Sequence, residues 1–171
     1  MVQKETLFVA LRPCSLGLAL VATSEKGICA LLLGDDADAL NAELARRFPQ
    51  ARIRAADSAC ESLAAEAIAL VDAPDKARAI PLDLRGTPFQ RRVWDALRAI
   101  PSGRTASYAD VANSIGAPKA TRAVAGACAA NPVAIAVPCH RVLHRDGTLS
   151  GYRWGVARKR ALLEREGCDI R

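Results

Sequence analysis

The stretch of sequence that decides the fold is SYADVANSIGAPKATRAVAGACAA, residues 107–130. Ser107 is a suitable helix N-cap. The residues after it are apolar at i, i+3, i+4 and i+7, as a short amphipathic helix requires: Tyr108, Val111, Ala112 and Ile115. The sequence GAP at 116–118 predicts the end of that helix and the start of a second one over about 119–130. Two short helices around a glycine-containing turn are typical of a helix-turn-helix, although any helical hairpin has the same pattern.

The second helix has an unusual composition for a DNA-reading helix. Base-edge recognition in the major groove needs exposed Arg, Lys, Asn or Gln side chains, whereas this helix offers Lys119 and Arg122 among alanines and glycine. Such a slim helix suits the minor groove or the DNA backbone, and its small residues equally suit close helix packing. Arg122 is a candidate to fill the space left by an extruded base, with a phosphate contact as the alternative.

Upstream of these helices, Thr87 and Pro88 predict the N-terminus of an amphipathic helix that ends at 101–103. A polar, proline-containing passage over 73–82 precedes it. We therefore place a domain boundary near Arg85, which gives an N-terminal domain of residues 1–85 and a C-terminal domain of residues 86–171.

The N-terminal half has the pattern of an α/β domain. Apolar runs at 7–11, 16–22 and 27–33 are separated by turn-forming residues, and they predict an antiparallel meander. Helical spacing follows over 36–48 and over 58–71.

Charge is distributed unevenly between the halves. Residues 1–85 contain 10 Lys and Arg against 12 Asp and Glu, and residues 86–171 contain 14 against 6. The first half therefore has a charge of −2 and the second half a charge of +8, which together give the net charge of +6. This asymmetry predicts a polyanionic partner, with nucleic acid the leading candidate. No apolar run suits a membrane span and no secretion signal is evident, so we expect a cytoplasmic protein that does not bind membranes.

The six cysteines are scattered, without the spacing of a disulfide framework or a zinc site. One cysteine has an unusual neighbour: in AVPCHRVLHRDG at 136–147, Cys139 directly precedes His140. A thiol in an apolar run is usually an inert packing residue, but a thiol beside a histidine is also a candidate nucleophile. A cysteine hydrolase, a kinase-like HRD loop at 144–146 and a DNA-binding regulator are the competing interpretations.

The sequence PCHRV at 138–142, preceded by Asn131-Pro132 and followed by GTLSGYRWG at 147–155, resembles the active-site signature of the O6-alkylguanine-DNA alkyltransferases. The stretches SYADVA and KATRAV are similar to the DNA-binding helices of that family. The resemblance implies an N-terminal α/β domain of ribonuclease-H-like shape and a helical C-terminal domain with a DNA-binding helix-turn-helix.

The resemblance also implies a reaction. Cys139 would take the alkyl group from O6 of a flipped-out guanine, or from O4-methylthymine, once per molecule and irreversibly. His140 and Glu166 match the residues that form a relay with the thiol, the histidine acting through a water molecule. Asn131 matches the residue that braces the turn before the active-site segment, and Tyr108 matches the residue that hydrogen-bonds the extruded base.

For the remaining contacts, the resemblance implies two groups of residues. The DNA-binding group comprises Tyr108, Lys119, Thr121, Arg122 and Ala123, with Thr121 where the family pattern has alanine. The substrate pocket group comprises Val142, Ser150, Tyr152 and Arg153. The implied partner is double-stranded DNA containing O6-alkylguanine, bound through its minor groove without sequence specificity by a monomer. Neither a cofactor nor a metal ion is expected.

Overall fold

A computed structural model of the chain describes residues 3–74 and 79–170. Part of the proline-containing passage predicted at 73–82 lies outside the described residues. The mixed α/β class is confirmed, and the division near Arg85 stays a prediction.

The predicted meander is confirmed as three antiparallel strands, β1 (Thr6–Cys14), β2 (Gly17–Ser24) and β3 (Gly27–Gly34). A fourth strand, β4 (Arg52–Ala55), lies parallel to β1 and completes a sheet of order β3-β2-β1-β4. Gly27 has a positive φ, and a Cβ there would collide with the carbonyl group of Pro81. Glycine is therefore required where the chain after residue 79 runs beside β3.

Both predicted helices of the N-terminal half are present as α1 (Ala37–Arg47) and α2 (Ser58–Asp72). Each begins at an aspartate whose carboxylate accepts backbone N–H groups of the first turn, Asp36 for α1 and Asp57 for α2. Helix α1 contacts β2 and β3, and α2 contacts all three antiparallel strands. The helices thereby bury the apolar side chains of the meander.

The C-terminal half contains four helices: α3 (Pro88–Arg98), α4 (Tyr108–Ser114), α5 (Thr121–Ala129) and α6 (Val156–Arg165). Thr87 with Gln90 and Ser107 with Asp110 form capping boxes at the starts of α3 and α4. Two short strands, β5 (Ala106–Ser107) and β6 (Val142–Leu143), pair in parallel. Helix α5 starts two residues later than predicted, so Lys119 lies in the turn before it.

The two halves share one continuous core, and a backbone connection joins them beside the PCHRV motif. After α5, the chain runs back to β3, where the N–H of Leu31 donates to Pro132 and the carbonyl of Leu31 accepts from Ala134 (2.9 and 3.0 Å). The first sheet therefore holds the segment that leads into Cys139. In the described residues, no helix has the length and apolarity that crossing a membrane demands.

Candidate active site

Cys139 begins a single turn of 3-10 helix, Cys139–Arg141, and its thiol is almost completely buried. The Nδ2 atom of Asn131 lies 3.2 Å from the Cys139 sulfur and donates to the carbonyl of Val137 at 2.8 Å. The Asn131 carbonyl oxygen accepts from the N–H of Val133. One buried side-chain amide thus fixes the turn and the thiol together, and the functional role of Asn131 stays a prediction.

The same segment contains an unfavourable backbone conformation. Ile135 has φ of 70°, which is rare for a β-branched residue, and it lies four residues before Cys139. Such conformations persist where surrounding contacts determine the backbone, and they cluster at functional sites. The docking of this segment on β3 supplies those contacts.

His140 and Glu166 are brought together although they are far apart in sequence. The Nε2 atom of His140 lies 2.9 Å from Oε1 of Glu166, which stands at the C-cap of α6. Burial lowers the pKa of His140, although Glu166 opposes this effect. Burial also disfavours the Glu166 carboxylate, but hydrogen bonds from His140 and Arg141 outweigh it and lower its pKa. The pair therefore combines a neutral imidazole with an ionised carboxylate at neutral pH.

The imidazole has its second nitrogen available. His140 Nδ1 is buried and has no hydrogen-bond partner within residues 3–74 and 79–170. Buried polar atoms are normally paired, and an orphaned one often marks a site that a water molecule or a ligand fills. No direct hydrogen bond joins His140 to the Cys139 thiol in that part of the chain, so a bridging water is compatible with the geometry.

Arg141 belongs to the PCHRV motif, but the sequence alone predicted no role for it. Its guanidinium donates to both carboxylate oxygens of Glu166, with Nε at 3.0 and 3.2 Å and Nη2 at 2.6 Å. Its Nη1 donates to the carbonyl of Ile100 at 2.7 Å. Arg141 therefore neutralises Glu166 and ties it to the end of α3.

Lys159 is the residue that sequence reasoning missed. It is fully buried in α6, and its ammonium donates to the carbonyl of Val142 at 2.6 Å and to Ser150 Oγ at 2.7 Å. Burial lowers the pKa of Lys159 to about 8, while the nearby thiols of Cys139 and Cys128 act in the opposite direction. The charge of Lys159 in turn favours the Cys139 thiolate, which burial otherwise disfavours by raising the pKa of the thiol.

Tyr108 joins the same network. Its hydroxyl donates to Ser150 Oγ at 2.8 Å, and that hydroxyl in turn donates to the carbonyl of Val142 at 3.1 Å. Burial raises the pKa of Tyr108, so its phenol stays protonated at neutral pH and can donate a proton or a hydrogen bond. The phenol therefore lies among the groups that surround the thiol.

A cavity of about 340 Å³ opens beside Cys139. Its lining includes Tyr108, Cys128, Tyr152 and Arg153 together with small residues of α5, Ala125 and Ala129. Of the predicted pocket residues, Tyr152 and Arg153 line it, whereas Val142 and Ser150 lie behind its wall. A wider cleft of about 1160 Å³ on the N-terminal sheet contains none of the predicted site residues.

Helix α5 connects the cavity to the protein surface. Its buried side packs through Val124, Ala127 and Cys128, and Arg122 and Ala123 are exposed. Ala129 walls the cavity seven residues after Arg122, which is about 10 Å along the helix axis. Thr121 is half-buried and Lys119 is exposed. Of the predicted DNA-binding residues, Thr121, Arg122 and Ala123 thus lie on the helix that borders the thiol cavity, Lys119 precedes that helix, and Tyr108 begins α4.

In the two described ranges, no cluster of three or more His, Cys, Asp or Glu side chains has the arrangement of a metal site. All six cysteines are free thiols. Cys128 shares the cavity with Cys139, and burial raises the pKa of both thiols, so the pKa does not distinguish them. Cys139 has a hydrogen-bond donor on its sulfur and is the better candidate nucleophile.

The chain has close relatives among known proteins. The family model "6-O-methylguanine DNA methyltransferase, DNA binding domain" matches residues 88–168. The bifunctional transcriptional activator/DNA repair enzyme Ada of Escherichia coli K12 is 57% identical over 157 residues, which are 92% of this chain and 44% of that protein. The inducible methylated-DNA–protein-cysteine methyltransferase of Bacillus subtilis is 45% identical over 121 residues, 71% of this chain and 68% of that protein.

A solved structure matches both halves. The crystal structure of Mycobacterium tuberculosis OGT in complex with DNA superposes with a TM-score of 0.74 at 36% identity, covering 94% of this chain and 92% of that one. The chain spans about half the length of the first curated relatives that it matches.

Proposed function

Because the chain belongs to the O6-methylguanine-DNA methyltransferase family, we propose that Cys139 removes the alkyl group from the O6 atom of damaged guanine in DNA and retains it. The observation that carries this proposal is the set of groups around one thiol. Cys139 opens on a cavity, Asn131 positions its sulfur, and a buried His140–Glu166 pair follows it directly.

Residues of this chain can carry out each proton transfer that the alkyl transfer requires. Neutral His140 takes the thiol proton, through a water molecule at Nδ1, and Glu166 stabilises the imidazolium. The thiolate attacks the alkyl carbon, a carbon–sulfur bond forms, and the electrons of the carbon–O6 bond pass to guanine. Tyr108 donates a hydrogen bond to the ring nitrogen that receives this charge, which makes guanine a better leaving group, and the proton released from the thiol finally neutralises the departing guanine.

The product is a thioether, and the reaction is irreversible. Unlike a thioester, a thioether does not hydrolyse readily, so the alkyl group stays on Cys139. Each molecule therefore acts once, on O6-methylguanine or on O4-methylthymine. The protein is both reagent and acceptor, a single-turnover methylated-DNA–protein-cysteine methyltransferase.

For DNA binding, we propose that α4 and α5 act as a helix-turn-helix that enters the minor groove. The exposed side of α5 carries small residues around Arg122, which suits close approach to DNA better than base-edge readout. Arg122 fills the space of the extruded base, while Lys119, Thr121 and Ala123 contact the backbone. The protein binds duplex DNA as a monomer without sequence preference, and its N-terminal half has a ribonuclease-H-like arrangement.

The test is incubation with duplex DNA containing O6-methylguanine, followed by mass analysis of both products. The peptide containing Cys139 should gain one methyl group in place of its hydrogen, and the DNA should contain unmodified guanine. Cys139→Ala should bind the DNA and accept nothing, whereas Cys128→Ala should still be methylated. Methyl transfer by Cys139→Ala would refute the assignment of the nucleophile.

A further inference from the structure

One contact between the two halves reaches the wall of the thiol cavity. Oε1 of Glu43, on α1, accepts from Nε and Nη2 of Arg153 at 2.7 and 2.6 Å. The same guanidinium donates through Nη1 to the carbonyl of Ala129 at 2.8 Å. Arg153 and Ala129 both line the cavity beside Cys139. A carboxylate of the N-terminal half therefore holds the arginine that joins two cavity walls of the C-terminal half.

A second arginine, Arg47 at the end of α1, strengthens this attachment. Arg47 lies 3.4 Å from Glu43 Oε1 through its Nε, and its other nitrogens donate to the carbonyls of Ala130 and Asn131 at 3.3 and 3.5 Å. These carbonyls belong to the C-terminal end of α5, where cationic side chains are favourable. Asn131 is the residue whose amide contacts the Cys139 sulfur.

The ion pair is partly shielded from solvent. The side chain of Glu43 is 16% exposed and that of Arg153 is 27% exposed. Exposed ion pairs contribute little because water screens them and because ordering two long side chains costs entropy. Here Arg153 is also held by a backbone carbonyl, so its planar guanidinium is fixed in one orientation.

We propose that Glu43 is a specificity-determining positioning residue for alkyl transfer, holding Arg153 against Ala129 so that the cavity is narrow enough to align a methyl group with Cys139. The proposal rests on the proposed function and extends it to the N-terminal half. When Arg153 is released, the wall formed by residues 151–153 loses its attachment to α5. The cavity then fits a small alkyl group less closely and admits a bulky one more easily.

The experiment compares single-turnover rates for duplexes containing O6-methylguanine or the bulkier O6-benzylguanine. Glu43→Gln keeps the shape of the side chain and removes its charge. We expect about tenfold slower methyl transfer, because small misplacements of reacting groups are costly. Benzyl transfer should slow less, so the benzyl-to-methyl ratio of rates should rise, while the affinity for the DNA stays within about twofold.

A double-mutant cycle separates positioning from a general structural effect. Arg153→Met alone should raise the benzyl-to-methyl ratio in the same direction. In the Arg153→Met background, Glu43→Gln should change the ratio no further, because Glu43 acts through Arg153. Additive effects in the cycle would overturn the proposal, and the single variant Arg153→Met tests it even if Glu43→Gln folds poorly.

Glu61→Gln is the matched control, since Glu61 pairs with Arg12 on the surface of the N-terminal half. It should leave both rates unchanged. If the unmodified protein transfers neither group, the proposed function itself fails. If the unmodified protein transfers methyl and Glu43→Gln keeps the same ratio of rates, only the role of Glu43 is refuted.

Discussion

Glu166 Oε1 lies 2.9 Å from the Nε2 atom of His140 and 2.6 Å from Nη2 of Arg141, with the carboxylate shielded from solvent. One carboxylate thus serves two partners with different tasks. It orients the imidazole that we propose deprotonates Cys139, and it neutralises a guanidinium that would otherwise be buried without a counter-charge. Removing the carboxylate therefore has consequences for both rate and stability.

We expect Glu166→Gln to slow methyl transfer about 10²-fold, in the range for loss of acid–base assistance. The change also leaves Arg141 without its counter-charge, which should lower the free energy of unfolding by about 3 kcal/mol. Single-turnover kinetics and denaturant unfolding measure the two effects. Glu164→Gln, on the exposed side of the same helix, is the control. Equal rates for Glu166→Gln and the control would contradict the role in proton transfer.

Acidification should lower both stability and activity. Burial lowers the pKa of His140 below its ordinary 6.5, so protons bind the unfolded chain first and stability falls as the pH drops below 6.5. The lowered pKa of Glu166 adds a further loss below its ordinary 4.5. In the proposed mechanism, neutral His140 is also the form that accepts the thiol proton, so the transfer rate should fall once His140 is protonated in the folded protein. Unfolding free energies and single-turnover rates over a pH series measure these changes.

His140→Gln provides the comparison for this pH series. Without a histidine at this position, the stability lost as the pH drops below 6.5 should shrink, because the linked protonation is absent. A variant with the same pH dependence as the unmodified protein would show that another group is responsible.

Lys159→Met should raise the pKa of the Cys139 thiol, because a cation that favours the thiolate is removed. Transfer at neutral pH should become slower, and the rate should recover partly as the pH rises. The pH dependence of Cys139 alkylation by iodoacetamide measures the thiol pKa directly. Arg160→Met removes an exposed cation from the next position and should leave the pKa unchanged. An unshifted pKa in Lys159→Met would refute the electrostatic role of Lys159.

Arg122→Ala should separate base extrusion from chemistry. Since Arg122 is exposed, the change should leave stability within about 0.5 kcal/mol of the unmodified protein. Methyl transfer from duplex DNA should slow strongly, while transfer from the free base O6-methylguanine should be unchanged. Lys119→Ala should instead weaken DNA binding uniformly and reduce its salt dependence by about one counter-ion. Equal losses on the free base and on duplex DNA would contradict the proposed role of Arg122.

Sequence reasoning reached Cys139 and His140 because they are adjacent and belong to a specific motif. It could not identify Lys159, which lies between Arg158 and Arg160, because three consecutive cations in a helix do not reveal which one is buried. Strand β4 was missed for a related reason. Its four residues, RIRA, are too few to make their polar–apolar alternation informative, and all four are exposed, so only pairing with the distant β1 makes it a strand.

The predicted pocket residues show the same limit. Tyr152 and Arg153 line the cavity, whereas Val142 and Ser150 support its wall through Lys159 and Tyr108. A motif indicates that such residues belong together near a site. It does not indicate which of them face the open space, because that depends on how α6 packs behind them.

The backbone connection between Leu31 and the segment 132–134 makes the reactive thiol dependent on a strand more than a hundred positions earlier. A fragment limited to residues 86–171 would leave that segment's N–H and C=O groups to solvent and lose the support beneath Ile135. Two complementary pieces produced by cleaving near Arg85 should instead reassociate and recover reactivity. Exchanging C-terminal halves between relatives would therefore succeed only where the β3 strand of the N-terminal half can form the same backbone hydrogen bonds with the segment before the cysteine.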